Sequence, residues 1–243
     1  MELRFIGSGD AFGSGGRLQT CLQLSGGSEP LMIDFGASSL VGMKRAGLEP
    51  NDIGWLFVTH LHGDHFGGLP FLVLDGQFRR RERRLSVGGP PGLRERVLRA
   101  MEVLFPGSST ARRRFETSFL ELPAREPAEF GPAVVTAYEV VHASGGPSYA
   151  IRVEYAGRVI AYSGDTEWTP ALVEASAGAD AFVCEGYFFD KRVPYHLDYM
   201  TLEEHRSELS CTRLILTHMS QDMLDHAGQI AAELAEDGMV VEI

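Results

Sequence analysis

Short apolar runs separated by glycine-rich turns fill the first third of the chain. Leu3–Ile6 predicts a strand, and Thr20–Leu24 with Leu31–Asp34 predicts a hairpin across Ser25-Gly26-Gly27-Ser28. Ser38–Ala46 predicts a helix that ends at Gly47. Trp55-Leu56-Phe57-Val58 is apolar, aromatic and β-branched, the pattern of a buried strand. Leu69–Leu74 then opens a helical run, and Leu85–Gly88 predicts a short strand. Gly92–Leu104 predicts a helix with Leu93, Val97, Leu98, Met101 and Leu104 at helical spacing. Residues 106–132 carry scattered Pro and Gly and yield no clear element. From Ala133 the pattern returns. Ala133–Val141, Tyr149–Tyr155 and Arg158–Tyr162 predict strands, with Ala156-Gly157 as a tight turn. Ala181–Cys184 and Arg213–Thr217 predict short buried strands, and Pro170–Ala177, Thr201–Leu209 and Ala227–Glu236 predict helices between them. Strands come first and β-α alternation later, twice over, without a Pro- or Ser-rich linker. That order predicts one domain over residues 1–243 with two packed sheets and outer helices.

Composition narrows the class. No apolar run approaches the roughly 20 residues of a membrane span. Met1 leads straight into a strand pattern, with no apolar leader. Cys21, Cys184 and Cys211 are scattered and form no CxxC pair, which suits a reducing compartment, and the expected location is cytoplasmic. The net charge of −11 argues against a general nucleic-acid coat. The charge is uneven, since residues Arg79 to Arg114 hold eleven Arg and three Glu. Such a segment can favour an anionic substrate, or it can be a set of solvated helix faces.

The candidate chemistry concentrates just after the Trp55–Val58 strand. Thr59-His60-Leu61-His62-Gly63-Asp64-His65 holds three of the eight histidines of the chain. His60 and His62 point the same way in extended chain. Gly63 breaks the strand, so Asp64 and His65 approach from another direction. Imidazole and carboxylate are ligand types for Zn, Mn or Fe. Three more candidates follow predicted strands: His142 after Val140-Val141, Asp165 after Ser163-Gly164, and His218 after Leu216-Thr217. Asp34, at a strand end, can orient a ligand histidine or cap the following helix. The loop Gly7–Gly16 holds five glycines but lacks the Gly-Lys-Ser/Thr ending of a phosphate-binding P-loop.

These motifs resemble the metallo-β-lactamase superfamily. Its HxHxDH signature stands here as His60-Leu61-His62-Gly63-Asp64-His65, and the later motifs follow as His142, Ser163-Gly164-Asp165-Thr166 and Thr217-His218-Met219-Ser220. Phe5–Phe12 and Ile33-Asp34-Phe35-Gly36 are also similar to that family. Gly88-Gly89-Pro90-Pro91 and His196 in Tyr195-His196-Leu197-Asp198 place the resemblance nearest ribonuclease Z and its relatives, including cyclic phosphodiesterases. The resemblance implies an α/β fold, an αββα sandwich of two mixed β-sheets, with two divalent metal ions, zinc by default and Mn or Fe as alternatives. By motif, His60, His62 and His142 hold one metal, Asp64, His65 and His218 hold the other, and Asp165 bridges them. Two metals about 3.5–4 Å apart can clamp a shared hydroxide and a phosphoryl oxygen. Asp64 and His196 are the catalytic candidates, with His196 near the leaving group. The family usually places Ser or Thr directly after that histidine, whereas Leu197-Asp198 follow here. Glu185 can orient His196 or be a solvated strand end, and His205 and His226 read as surface residues.

Ribonuclease Z enzymes carry a long tRNA-gripping arm between the motif histidine and the bridging aspartate. Only 23 positions (165 − 142) separate His142 from Asp165. The expectation is therefore a phosphodiesterase for a small anionic phosphodiester or nucleotide, favoured over RNA processing. A lactonase or other ester hydrolase is the rival enzyme, and a non-catalytic binding subunit is the rival of another class. Relatives of this kind imply a homodimer.

Overall fold

Fourteen strands and seven helices account for the ordered elements in a computed structural model that describes residues 1–243. The first sheet is built from β1 (Glu2–Gly7), β2 (Cys21–Ser25), β3 (Leu31–Ile33), β4 (Trp55–Phe57), β5 (Leu85–Gly89) and β6 (Thr117–Glu121). The second takes β7 (Ala128–Phe130), β8 (Ala133–Val140), β9 (Ser148–Tyr155), β10 (Arg158–Tyr162), β11 (Ala181–Glu185), β12 (Leu214–Thr217) and β13 (Glu233–Leu234). The last strand, β14 (Val240–Glu242), returns to pair with β1. The strand orders are β14-β1-β2-β3-β4-β5-β6 and β13-β12-β11-β10-β9-β8-β7. Each sheet begins as an antiparallel meander and continues as parallel strands: β3-β4-β5-β6 in one, β10-β11-β12-β13 in the other.

Three apolar layers separate four structural layers. Phe5, Leu22, Phe57, Ile151, Tyr155 and Tyr162 pack between the sheets. The outer face of the first sheet is covered by α1 (Ser39–Arg45), α3 (Leu69–Phe78) and α4 (Leu93–Leu104), and the four-residue α2 (Gly63–Phe66) falls between α1 and α3 in the chain. The outer face of the second sheet carries α5 (Ala171–Ser176), α6 (Tyr199–Glu204) and α7 (Gln221–Asp225). The architecture is the αββα sandwich of two mixed sheets. No helix is long and apolar enough to cross a membrane.

Three expectations change. Ala227–Glu236 is not a helix: a 3₁₀ turn at Ala227–Gln229 leads into β13, where Leu234 pairs with Leu216. Ala235 is fully buried between the sheets, so pairing and burial override the helix propensity of the two alanines before it. The helix of this region lies earlier, at α7, where the Ser220 hydroxyl caps the Met223 N–H. The predicted Thr201–Leu209 helix starts at Tyr199, capped by Asp198, and gives way to a 3₁₀ turn at Arg206–Glu208. Gly63 does not break a strand. The strand has already ended at Phe57, and Gly63 opens α2 with His62 at its N-cap. The unassigned stretch 106–132 contains β6 and β7, short edge-ward strands whose pattern the Pro and Gly residues obscure.

Candidate metal centre

The parallel strands of both sheets point their carboxyl ends at one seam, where α/β sheets commonly bind ligands. Asp34 follows β3, Thr59–His65 follows β4, and His142 follows β8. Asp165 follows β10, Glu185 ends β11, and His218 follows β12. The one-turn α2 rotates Asp64 and His65 away from the line of His60 and His62; the N–H groups of His65 and Phe66 both donate to the His62 carbonyl at 3.0 Å.

All seven sequence-predicted ligands converge. His60, His62 and His142 form one group, and Asp64, His65, Asp165 and His218 form a second. The Asp165 carboxylate lies between them. Its oxygens stand 3.7 Å from His60 Nε2, 3.9 Å from His142 Nε2, 3.2 Å from His65 Nε2 and 3.4 Å from His218 Nε2. Asp64 stands 3.3 Å from His65 Nε2 and 3.1 Å from His218 Nε2. His142 Nε2 and His62 Nδ1 approach to 2.9 Å.

The surrounding groups fix the tautomers. Asp34 is an acceptor of the Thr59 N–H at 2.7 Å and the Thr59 hydroxyl at 2.8 Å. With its proton on Asp34, the Thr59 hydroxyl must accept from His60 Nδ1–H at 3.1 Å. The Asp34 oxygen that takes the hydroxyl at 2.8 Å also accepts from His65 Nδ1–H at 2.7 Å. His142 Nδ1–H donates to the Tyr195 carbonyl at 2.8 Å. Each of these three rings, when neutral, presents a lone pair at Nε2. His60 Nε2, His65 Nε2 and Asp165 Oδ1 are buried and have no hydrogen-bond partner. Buried polar atoms are rarely left so. Three such atoms facing one another fit a divalent cation, and the donor set of imidazole and carboxylate suits one. Asp34 therefore orients a histidine; the α1 N-cap is Ser38, with no side-chain cap.

Charge follows the same plan. Burial and the neighbouring His65 hold the His60 imidazole well below its ordinary pKa, and burial lowers His142. Burial opposes ionisation of Asp165, but His218, His65 and His60 outweigh it and hold the carboxyl well below its usual range. His218 is pulled down by burial yet lifted to about 9 by Asp165 and Asp64. A divalent cation answers the same two carboxylates, so its binding expels those protons.

His196 lies at the edge of this cluster. Its Nδ1 donates to Glu185 at 3.0 Å, and its ring stacks on Tyr187 with centroids 4.5 Å apart. Glu185 is fully buried and also accepts from the Thr166 N–H. It is thus the orienting partner of His196 and no solvated strand end. The Leu197-Asp198 departure from the family pattern has a local use: Asp198 takes both the N–H and the hydroxyl of Thr201 at 2.8 and 2.7 Å and starts α6. His205 and His226 are less idle than surface residues, stacking on Trp168 and Phe189.

Sequence reasoning missed the Tyr195 carbonyl, the Thr59 hydroxyl and the Tyr187 ring. Thr59 and Tyr195 leave a trace, since they directly precede His60 and His196. The glycine-rich Gly7–Gly16 loop is no phosphate cradle. Asp10 accepts from Ser14 N–H at 2.9 Å within the loop, and the Ser8 carbonyl takes the His218 N–H at 3.1 Å. Four of the eleven arginines in the arginine-rich segment are ion-paired in place. Arg79 pairs with Glu49, Arg83 with Glu29, Arg84 with Glu116 and Arg99 with Glu95, while buried Arg81 donates to the Pro50 carbonyl.

Comparison with known proteins agrees with this fold. Ribonuclease Z of Methanosarcina acetivorans is 25% identical over 304 aligned positions, covering 100% of this chain and 98% of that protein. The crystal structure of human tRNase Z, short form, superposes with a TM-score of 0.80 at 26% identity, covering 100% of this chain and 99% of that one. A diphosphatase of the PhnP family shares the fold, with a TM-score of 0.76 at 19% identity over 100% and 97% of the two chains. Fold and site define a metallo-β-lactamase-fold hydrolase near the ribonuclease Z branch, with a His/Asp cluster compatible with divalent metal ions. Within that class, the chain belongs to the protein family described as Anti-Pycsar protein Apyc1, which it matches over residues 1–240.

Proposed function

We propose that residues 1–243 act as one dinuclear metal-dependent phosphodiesterase for a small phosphodiester or nucleotide. The observation that carries the reading is the Asp165 carboxylate, within 4 Å of ring nitrogens from both imidazole groups. In this reading His60, His62 and His142 would hold one ion and Asp64, His65 and His218 the other, with Asp165 available to both. Zinc suits the imidazole-rich set, with Mn or Fe as alternatives. Divalent ions held there supply a Lewis acid for the phosphoryl oxygen and acidify water to a nucleophile at neutral pH. The protein groups do the rest. Asp34, Thr59 and Tyr195 hold three imidazoles in the ligand tautomer. His196, oriented through Nδ1 by Glu185, offers Nε2 to the leaving oxygen as proton donor. Asp64, beside both His65 and His218, is placed to accept a proton from the attacking water.

Small substrates are favoured over RNA. The 304 aligned positions of the archaeal ribonuclease Z exceed the 243 residues here, so that relative carries segments without a counterpart in this chain. Phe78 and Val103, 82% and 80% exposed at the ends of α3 and α4, support a homodimer that covers them. The three free cysteines support a cytoplasmic location.

The test is elemental analysis followed by assay of the metal-loaded protein. The panel is bis(p-nitrophenyl) phosphate, 2′,3′- and 3′,5′-cyclic nucleotides and a set of lactones. Two metals per chain and phosphodiester turnover are expected. Lactone turnover alone would favour the ester-hydrolase rival, and a protein that takes up no metal would favour a binding subunit.

A further inference from the structure

A cavity of about 190 Å³ opens beside His196. It is smaller than the roughly 300–1,000 Å³ filled by drug-sized ligands. It therefore has room for one ring-sized fragment. Both of its walls are tied by the chain to the catalytic cluster. One wall is Glu167-Trp168, two and three residues beyond Asp165, and the Glu167 N–H is anchored on the Val141 carbonyl at 3.2 Å. The other runs from Arg192 through His196 to Asp198 and Thr201.

The lining sets the chemistry of the occupant. Trp168 supplies an aromatic surface, and stacking on His205 fixes the indole, with centroids 4.2 Å apart and planes 9° apart. Arg192 and the protonated His196 are the cations of the lining, and both are already engaged, Arg192 by both oxygens of Glu204 at 2.7 Å and His196 by Glu185 at 3.0 Å. Asp198 has spent its oxygens on Thr201. Glu167 makes no side-chain hydrogen bond or ion pair in the fold, which leaves a free carboxylate acceptor against an aromatic wall. Negative charge thus exceeds available positive charge where the leaving group departs past His196.

The geometry points to this cavity as the leaving-group subsite: it takes an uncharged ring bearing an N–H or O–H donor, stacked against Trp168 with the donor on Glu167, and it rejects anionic leaving groups. The inference rests on the phosphodiesterase reading and narrows it. An extended RNA strand, or any leaving group with a further phosphate, brings negative charge toward Glu167 and Asp198. A nucleobase-bearing or aryl leaving alcohol does not.

Two measurements on the metal-loaded full chain test it. The first compares methyl 4-nitrophenyl phosphate with methyl 3-carboxy-4-nitrophenyl phosphate, whose leaving phenols are of similar acidity and differ in charge. The neutral ester is expected to have at least tenfold higher kcat/KM, and Glu167→Gln is expected to narrow that ratio by threefold or more. Trp168→Ala should raise KM for the neutral ester about tenfold, in line with base–aromatic stacking, and Trp168→Phe should recover most of the loss. The second follows Trp168 fluorescence in a Trp55→Phe background. Saturable quenching by adenosine is expected, and none by ribose 5-phosphate at equal concentration. Phosphodiester turnover with no charge preference, and no change in Glu167→Gln or Trp168→Ala, would overturn the subsite. Absence of any phosphodiester turnover would instead refute the underlying reading, while the fluorescence titration still decides whether the cavity binds a ring.

Discussion

Asp34 is the residue whose loss tests the construction of the centre most directly. It is fully buried and serves three donors: the Thr59 N–H, the Thr59 hydroxyl and His65 Nδ1–H. Asp34→Ala strands all three at about 1–3 kcal/mol each before relaxation. Measured losses for breaking a buried charged pair run to about 3–5 kcal/mol, so we take about 4. The backbone adds to this, because Asp34 has φ of 56°, which aspartate tolerates and alanine pays about 1 kcal/mol or more to adopt. The sum, about 5 kcal/mol, matches the whole stability of a marginal domain. Asp34→Asn separates folding from ligand orientation. Asparagine keeps the shape and accepts the left-handed backbone, but its NH₂ must face either Thr59 or His65, both donors. The expected loss is about 2 kcal/mol of stability and 10–100-fold in metal affinity. Urea unfolding of the metal-free protein reads the first quantity, and chelator-competition titration reads the second. An Asn variant that binds metal as tightly as the parent would refute the claim that Asp34 sets the His65 tautomer.

His62→Ala and Asp165→Ala are expected to remove metal and activity together; elemental analysis showing a full metal complement in either would contradict the ligand assignment. His196→Ala should retain metal and lose roughly 10²–10⁴-fold in kcat, the range for a general acid, and normal turnover would remove it from the mechanism. Burial pulls the His196 pKa down, but Glu185 outweighs burial and raises it. With a raised folded pKa, the pairing stabilises fully below the unfolded value of about 6.5. That contribution disappears as pH rises through the folded pKa, and the proton donor is lost over the same rise. Glu185→Gln should therefore shift the alkaline fall of kcat to lower pH; an unmoved alkaline limb would mean that another group sets it. Gly164→Ala should cost about 1–3 kcal/mol, since Gly164 has φ of 57° and an added Cβ would lie 2.6 Å from the Tyr149 carbonyl. A thermal melt within error of the parent would count against strain at that turn.

The parts of this protein that can be read along the chain are those whose cause is local. The HxHxDH stretch, the strand-end His142, Asp165 and His218, and most strands are legible because period and residue type are carried within a few positions. Ala227–Glu236 failed because its alanines favour a helix, while the empty edge of β12 and a slot for Ala235 between the sheets favour a strand. Those are facts about partners more than 15 residues away. Glu185 is the same kind of case. A strand-end glutamate is ordinarily solvated, and only the arrival of His196 and Thr166 across the seam makes it a buried acceptor. The arginine-rich segment reads two ways along the chain, as an anion site or as solvated faces, because the carboxylate partners Glu29, Glu49 and Glu116 that engage part of it are dispersed in sequence.

Both sheets run from an antiparallel meander to parallel strands, and this repetition explains why one seam gathers every candidate ligand. Parallel strands in the same direction deliver their carboxyl ends to one edge, so a ligand placed after any of them reaches the same place. What remains is to turn the side chains inward, and backbone strain does this. Asp34, Gly164, Tyr195 and His218 all have positive φ, at 56°, 57°, 73° and 58°, and all stand within one residue of a ligand or make a hydrogen bond to one or are one themselves. Only Gly164 adopts that conformation without penalty. Tyr195 and His218 cost of order 1–3 kcal/mol each, Asp34 less, and all three persist because the surroundings fix them. Ser8 holds His218, Thr59 and His65 hold Asp34, and His142 holds Tyr195. Each strained residue is thus locked by a partner in or beside the cluster, so damage at one ligand loosens the backbone that presents the next. Losses from paired substitutions such as Asp34→Asn with Thr59→Val should consequently fall short of the sum of the single losses, because the first change already releases what the second would release.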